Sequence, residues 1–374
     1  MTTEHQQFLE LLRFGLWNKP VDVSLFNNST DWDAVLKHAK QQTVLGFVSE
    51  GICSLSPDQQ PSSSIVSKMR GQLIMIMHSH AKLNRVLAEV VTTLSAQGFS
   101  PVLLKGQGVA LNYPEPTLRQ CGDIDLYIGR KDYERACSFV RDLYGADETG
   151  TESDKHYHFE YQGVVVEIHR IAERLPLPLY DRRFLVWSEA SLHSSNLRTV
   201  EINHTKVHLP SVNFDVLYIF NHAWHHFNFG GIGLRQLCDW VRTLHTFKNE
   251  INRVELERNL RSFGLWHAWK VFGYIAVDIL GLPKDEYPFY STKYVHSGIK
   301  VFETIMQEGN FGKMIPYRAN RPSGYLAGKM HSFIWIQRRF IHLLPIFTVE
   351  VSAVWARYLY TGIRQVLRDI TPAS

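Results

Sequence analysis

Three acidic residues and a lysine-glycine pair, all between Leu103 and His169, have the types and spacings with which this chain could do chemistry. Asp123 and Asp125 stand two apart in the apolar run DIDLYI. On a strand such residues project to one face, with Cα atoms roughly 6.5 Å apart. Two carboxylates so placed repel unless a cation compensates them; a divalent ion, Mg²⁺ (or Mn²⁺), keeps both ionised and takes up phosphate oxygens. Glu167 sits in a second apolar run, VVVEIH, where a charge requires a partner. If the two runs are neighbouring strands, Glu167 completes a three-carboxylate cluster of the kind that serves metal-assisted phosphoryl or nucleotidyl transfer. Lys105-Gly106, at the opening of a helix-like segment, offers a cation and backbone N–H groups to phosphates. Gly108 eases close approach, and Arg119 is a further phosphate candidate.

Histidines supply a second set of candidates. His169 shares a face with Glu167 and can act as a base, bond a phosphate or hold Glu167 in place. His156 and His158 alternate onto one face of a preceding strand. In NHAWHHFNFGG, His222 and His226 stand at i, i+4 on a helix, as a zinc pair would, but no HExxH pattern or third ligand accompanies them. Arg235 and Asp239 share that spacing in GLRQLCDW. Arg235 either touches a nucleotide or pairs with Asp239.

The elements that must position these groups follow from periodicity. Residues 5–17 and 32–53 carry helical spacing, with Asp31 or Asp33 as N-cap, and residues 62–97 read as one long helix stopped by Gly98. Val102–Leu104, Cys121–Gly129, His156–Tyr161 and Val164–Arg170 read as strands, the last two joined by a hairpin at Gln162-Gly163. Residues 107–112 and Lys131–Tyr144 read as helices between them. Arg174–Arg183, rich in proline, reads as loop, and Val200–Asn203 with Val207–Leu209 as a further hairpin. Helices return from Asn213 to the end. The expected class is α+β: a mixed-sheet core over 99–210, between helical regions at 1–98 and 211–374.

Composition is that of a folded protein, 45% hydrophobic and 20% charged. A net charge of +4 admits an anionic substrate without calling for nucleic acid. Four cysteines without CxxC spacing fit a reducing compartment, and the N-terminus lacks a signal-peptide layout, so a cytoplasmic location is expected. From Lys313 onward nine basic residues face two acidic ones. That tail forms either a core helical pair or a peripheral membrane contact; no run is long enough to span.

The segments LLKGQGVALNYPEPTLRQCGDIDLYI, HYHFEYQGVVVEIHR and GLRQLCDW together resemble the nucleotidyltransferase fold of the DNA polymerase β superfamily. They are most similar to bacterial proteins grouped as an uncharacterised nucleotidyltransferase family. The resemblance implies metal-dependent transfer of a nucleoside monophosphate from an NTP such as ATP. Asp123 and Asp125 would be metal ligands and Glu167 the third acid; the acceptor, a small molecule, sugar, peptide or protein, is left open. The superfamily's usual Gly-Ser turn is Lys105-Gly106 here, and a catalytically silent nucleotide-binding scaffold is the alternative. An Asp-x-Asp glycosyltransferase would need alternating strands and helices ahead of the motif. A haloacid-dehalogenase-like phosphatase would need Gly-Thr after the second Asp, where Leu126-Tyr127 stands.

Overall fold

The computed structural model describes residues 2–145, 155–193, 195–315, 317 and 320–370. Three helices open the chain, α1 (Thr3–Trp17), α2 (Trp32–Gln41) and α3 (Leu45–Ser54). Asp31 caps α2 by accepting from Ala34 N at 2.9 Å. The helical spacing over 32–53 is split at Thr43, which takes a positive φ of 57°. The preceding residue has other partners: Gln42 Oε1 accepts from Leu234 N, and its amide nitrogen donates to the Ile305 carbonyl.

The long helix α4 (Ser63–Ala96) leads into β1 (Val102–Leu103), the short α5 (Gln107–Ala110), β2 (Asp123–Tyr127) and α6 (Tyr133–Tyr144). β3 (His156–Tyr161) and β4 (Val164–His169) form a hairpin, with Gln162 and Gly163 both at positive φ as a type I′ turn requires. The proline-rich stretch expected as loop is helical from Pro178, where α7 (Pro178–Leu192) begins. A proline at the first helical position loses no hydrogen bond there, and its fixed φ suits the helix. β5 (Arg198–Ile202) and β6 (Thr205–Leu209) make a second hairpin. Then come α8 (Val212–Phe229), α9 (Leu234–Thr246), α10 (Arg253–Ser262), α11 (Trp266–Tyr274), α12 (Val295–Glu308), α13 (Tyr325–Leu343) and α14 (Thr348–Ile370).

The six strands form one mixed sheet in the order β3-β4-β2-β1-β6-β5. β2 runs parallel to β4 and antiparallel to β1, which in turn is parallel to β6. Alternation along the strands separates two faces. Ile124, Leu126, Val166, Ile168, Tyr157 and Phe159 pack with α4 and α6 in one core, each buried side chain contributing about 1.5–3 kcal/mol. Asp123, Asp125, Glu167 and His169 therefore point to the opposite face, and a register slip of one residue would exchange the two sets. That opposite face is covered by α8 and α9. A second core joins α1–α3 with α8, α9, α11, α12 and the tail helices, where Trp335, Phe340, Phe347 and Val351 are buried. Part of the tail's apolar surface is thus core, while Ile341 and Val349 are exposed, and no helix among the described residues is long and apolar enough to cross a membrane.

Candidate active site

Register brings the acids together. In the β2–β4 ladder Asp125 stands directly opposite Glu167, and Asp123 opposite Val165 one pleat away. Asp125 is completely buried, whereas the Asp123 side chain is 43% exposed and faces the cleft. A lysine and a histidine already sit among the acids. Lys105 Nζ lies 3.1 Å from Asp125 Oδ2 and 3.7 Å from Asp123 Oδ2, and His169 Nε2 lies 3.0 Å from Asp125 Oδ1 and 3.1 Å from Glu167 Oε2.

The electrostatics follow from this arrangement. Burial works against the Lys105 charge, but Asp125, then Asp123 and Glu167, hold its pKa above the ordinary value. Asp125 is likewise opposed by burial, and Lys105 with the His169 hydrogen bond keeps it ionised far into acid. Asp123 is pushed up, chiefly by the neighbouring charge of Asp125 and against the pull of Lys105. Burial disfavours a charged His169, and its bonds to Asp125 and Glu167 outweigh that and raise it.

Gly106 positions Lys105. Its φ of 67° and ψ of −119° belong to a region essentially reserved for glycine, and the turn lays the lysine over the end of β2. Gly108 allows close approach of the sheet rather than of a ligand: a Cβ there would meet Leu209 Cδ2 at 2.6 Å.

These groups border a cleft of about 430 Å³ between the sheet and the α8–α9 wall. Lys105, Gly106, Arg119, Asp123, Glu167 and Arg235 line it, while His169 lies buried beneath, 1% exposed. The two arginines differ. Arg119 is spent on structure: Nε and Nη2 donate to the two oxygens of Asp239 at 2.7 Å each, and Nη1 donates to Cys121 Sγ. Tyr113 OH also donates to Asp239, at 2.7 Å. Asp239 is therefore the partner of Arg119, not of Arg235. Arg235 Nη1 donates to the Gln120 carbonyl at 2.5 Å, while its buried Nε has no hydrogen-bond partner among the described residues. Burial, and then the charge of Arg119, lower its pKa; an anion in the cleft would relieve both.

His222 and His226 line the α8 side with ring centroids 4.5 Å apart. Burial, reinforced by Lys105, depresses His222 to about 4. Burial together with His222 depresses His226 to about 2. Both are neutral at pH 7. Among the described residues no third metal-ligating atom lies within 4.8 Å of both; the group that does bring three such atoms within 4.8 Å of one another is His156, Glu167 and His169. His158 stands opposite Glu167 in the ladder but outside the cleft lining.

Sequence reasoning missed Glu173 and Lys155. Glu173 is buried and accepts from Lys155 Nζ at 2.9 Å and from His222 Nδ1 at 3.4 Å. The one available signal was its carboxylate beside the apolar Ile171-Ala172 in the step from β4 to the proline-rich turn. A larger, apolar cavity of about 660 Å³ opens between the start of α7, Trp266 and α14, and contains none of the acidic cluster.

The family model described as uncharacterised nucleotidyltransferase matches residues 28–281, more than half of the chain. The chain belongs to this uncharacterised nucleotidyltransferase family. That match spans every strand, the Lys105-Gly106 turn, the three acids and the α8–α9 wall. Among solved structures, an antigenic nucleotidyltransferase-like protein from Paracoccidioides brasiliensis is similar at 15% identity and a TM-score of 0.34, over 57% of this chain and 96% of that one. No curated protein sequence matches.

Proposed function

We propose that this member of the nucleotidyltransferase family transfers a nucleoside monophosphate from an NTP to a hydroxyl or phosphate acceptor, using a divalent cation held by Asp123, Asp125 and Glu167. The register that sets Glu167 beside Asp125, with Asp123 one pleat away at the cleft mouth, carries the reading. The residues suit such an ion: Glu167 stands opposite Asp125 with Asp123 one pleat away, and Asp123, pushed up by Asp125, is a carboxylate that an added cation would restore to its charged form. When bound, the ion neutralises the triphosphate and stabilises the entering and leaving oxygens.

The chain's own groups do the rest. Arg235, which lines the cleft, offers its guanidinium charge to a phosphate oxygen, and Lys105 supplies a fixed positive charge at the Gly106 turn. Neutral His222 and His226 give the opposite wall an uncharged surface that admits the base or the acceptor without repelling either. The acceptor oxygen bonds to the α-phosphorus as the bond to the β-phosphate bridging oxygen breaks, releasing pyrophosphate; the acceptor's proton leaves to a carboxylate of the cluster. The Arg119–Asp239 pair ties the segment leading into β2 to α9.

Calorimetric titration of each NTP with and without Mg²⁺, on the wild type and on Asp123→Ala/Asp125→Ala, tests this. Metal-dependent binding lost in the double variant is the expected result. Binding that survives the double variant, or no binding of any NTP, would remove the transferase reading.

A further inference from the structure

We propose that the outer side of the C-terminal helix pair is a membrane-surface contact. Exposed apolar side chains of α13 and α14 enter the headgroup region of an anionic lipid bilayer, and the basic residues beside them meet its phosphates. None of these residues lines the cleft.

α13 is apolar on two sides. Trp335, Ile336, Phe340 and Leu343 are buried, and at about 3.6 residues per turn they share one side of the helix. Met330, Ile334 and Ile341 fall on the opposite side, at i, i+4 and i+11, and are 59%, 38% and 58% exposed. A helix lying on a core ordinarily carries charged and polar groups there. α14 repeats the feature: Val351 and Val354 are buried, whereas Val349 and Tyr360 are 75% and 52% exposed. Ring contacts of Phe340 with Trp355 and of Phe333 with Tyr358, at 6.1 and 6.2 Å, hold the two helices together. Single exposed apolar residues are ordinary, but a set of them on one helix pair marks an interaction surface.

Charge decides what covers this surface. Lys313, Arg321, Lys329, Arg338 and Arg357 are exposed, and Glu350 is the only acid from Lys313 to Arg368. Glu350 turns inward: its Oε1 lies 3.3 Å from His267 Nδ1, and its side chain is 12% exposed. A second copy related by a two-fold axis would set the basic surface against itself. A nucleic acid would take up the basic residues and leave the aliphatic ones without a partner. An anionic bilayer satisfies both, with phosphate oxygens for Lys and Arg and the headgroup–acyl boundary for Met, Ile and Val. The contact is peripheral, since no helix among the described residues is long and apolar enough to cross.

Sedimentation of the full chain with phosphatidylcholine vesicles, with and without phosphatidylglycerol, tests this. Binding to the phosphatidylglycerol vesicles is expected to weaken with added salt and to be at least about tenfold tighter than to phosphatidylcholine alone. Ile334→Glu/Ile341→Glu should weaken it at least about tenfold. Arg338→Gln/Arg357→Gln should also weaken it, with the apolar residues left in place. All four side chains are exposed, so both variants should melt as the wild type does, and either one decides if the other fails to fold. No binding to the anionic vesicles, equal binding to both kinds, or unchanged binding in a folded variant overturns the proposal. Wild-type self-association in the analytical ultracentrifuge that Ile334→Glu/Ile341→Glu abolishes overturns it in favour of a second copy. No nucleotide enters the measurement, so the transfer reading stands or falls separately.

Discussion

Arg119 and Arg235 reach the same cleft, and their bonding separates the structural role of Arg119 from the ligand-binding one proposed for Arg235. Asp239→Ala would leave the Arg119 guanidinium and the Tyr113 hydroxyl buried without their shared acceptor. Removing one partner of such a pair costs about 3–5 kcal/mol, to be read from the urea midpoint and slope. Arg235→Gln should barely move that midpoint, since the charge it removes is already poorly satisfied, yet weaken ATP binding by roughly tenfold to a hundredfold, the equivalent of a charged hydrogen bond. Wild-type affinity in Arg235→Gln would show that its Nε meets no phosphate. In the sequence both arginines looked alike. The i, i+4 spacing of Arg235 and Asp239 suggested a local pair, and nothing in the chain announced that Arg119, from a loop, would claim the aspartate first.

At the scale of elements, the strands carrying chemistry were legible because their faces differ so sharply. Asp-Ile-Asp-Leu and Val-Glu-Ile-His place acid and apolar groups on alternate positions, and the structure buries the apolar ones under α4 and α6. The strand expected at Val102–Leu104 and the helix expected at 107–112 are present but shorter, as β1 with two residues and α5 with four, whereas α7 was hidden by the prolines that help start it. The turn between β1 and α5 depends on one backbone conformation. Gly106→Ala, forced into φ 67° and ψ −119°, should lose about 1–3 kcal/mol of stability, measured by thermal or urea unfolding. The same variant should bind ATP more weakly, because any relaxation of the turn moves Lys105 away from Asp125. Unchanged stability with unchanged binding would mean that the turn tolerates a Cβ.

Across the whole molecule, three helical histidines set a lower pH limit. Burial is the first cause of the depressed values at His222, His225 and His226. These rings stay neutral in the fold while the unfolded chain takes up protons below about 6.5. A folded pKa below the unfolded one gives stability that is present above the unfolded value and lost on acidification. For His222, at about 4, the loss between pH 6.5 and pH 4 is on the order of 2–3 kcal/mol. Between pH 6.5 and about 4 the melting temperature of His222→Gln is expected to fall less than that of the wild type. A final consequence concerns time rather than stability. The segment from Asn112 to Gln120 is bound to α9 through Thr243, Asp239, Arg235 and Arg242, each contact mostly buried. The two banks of the cleft are welded along its floor, so nucleotide entry has no slow closing step to wait for. Stopped-flow mixing should give a single exponential whose rate climbs linearly with nucleotide concentration; a plateau would reveal a rearrangement that this weld forbids.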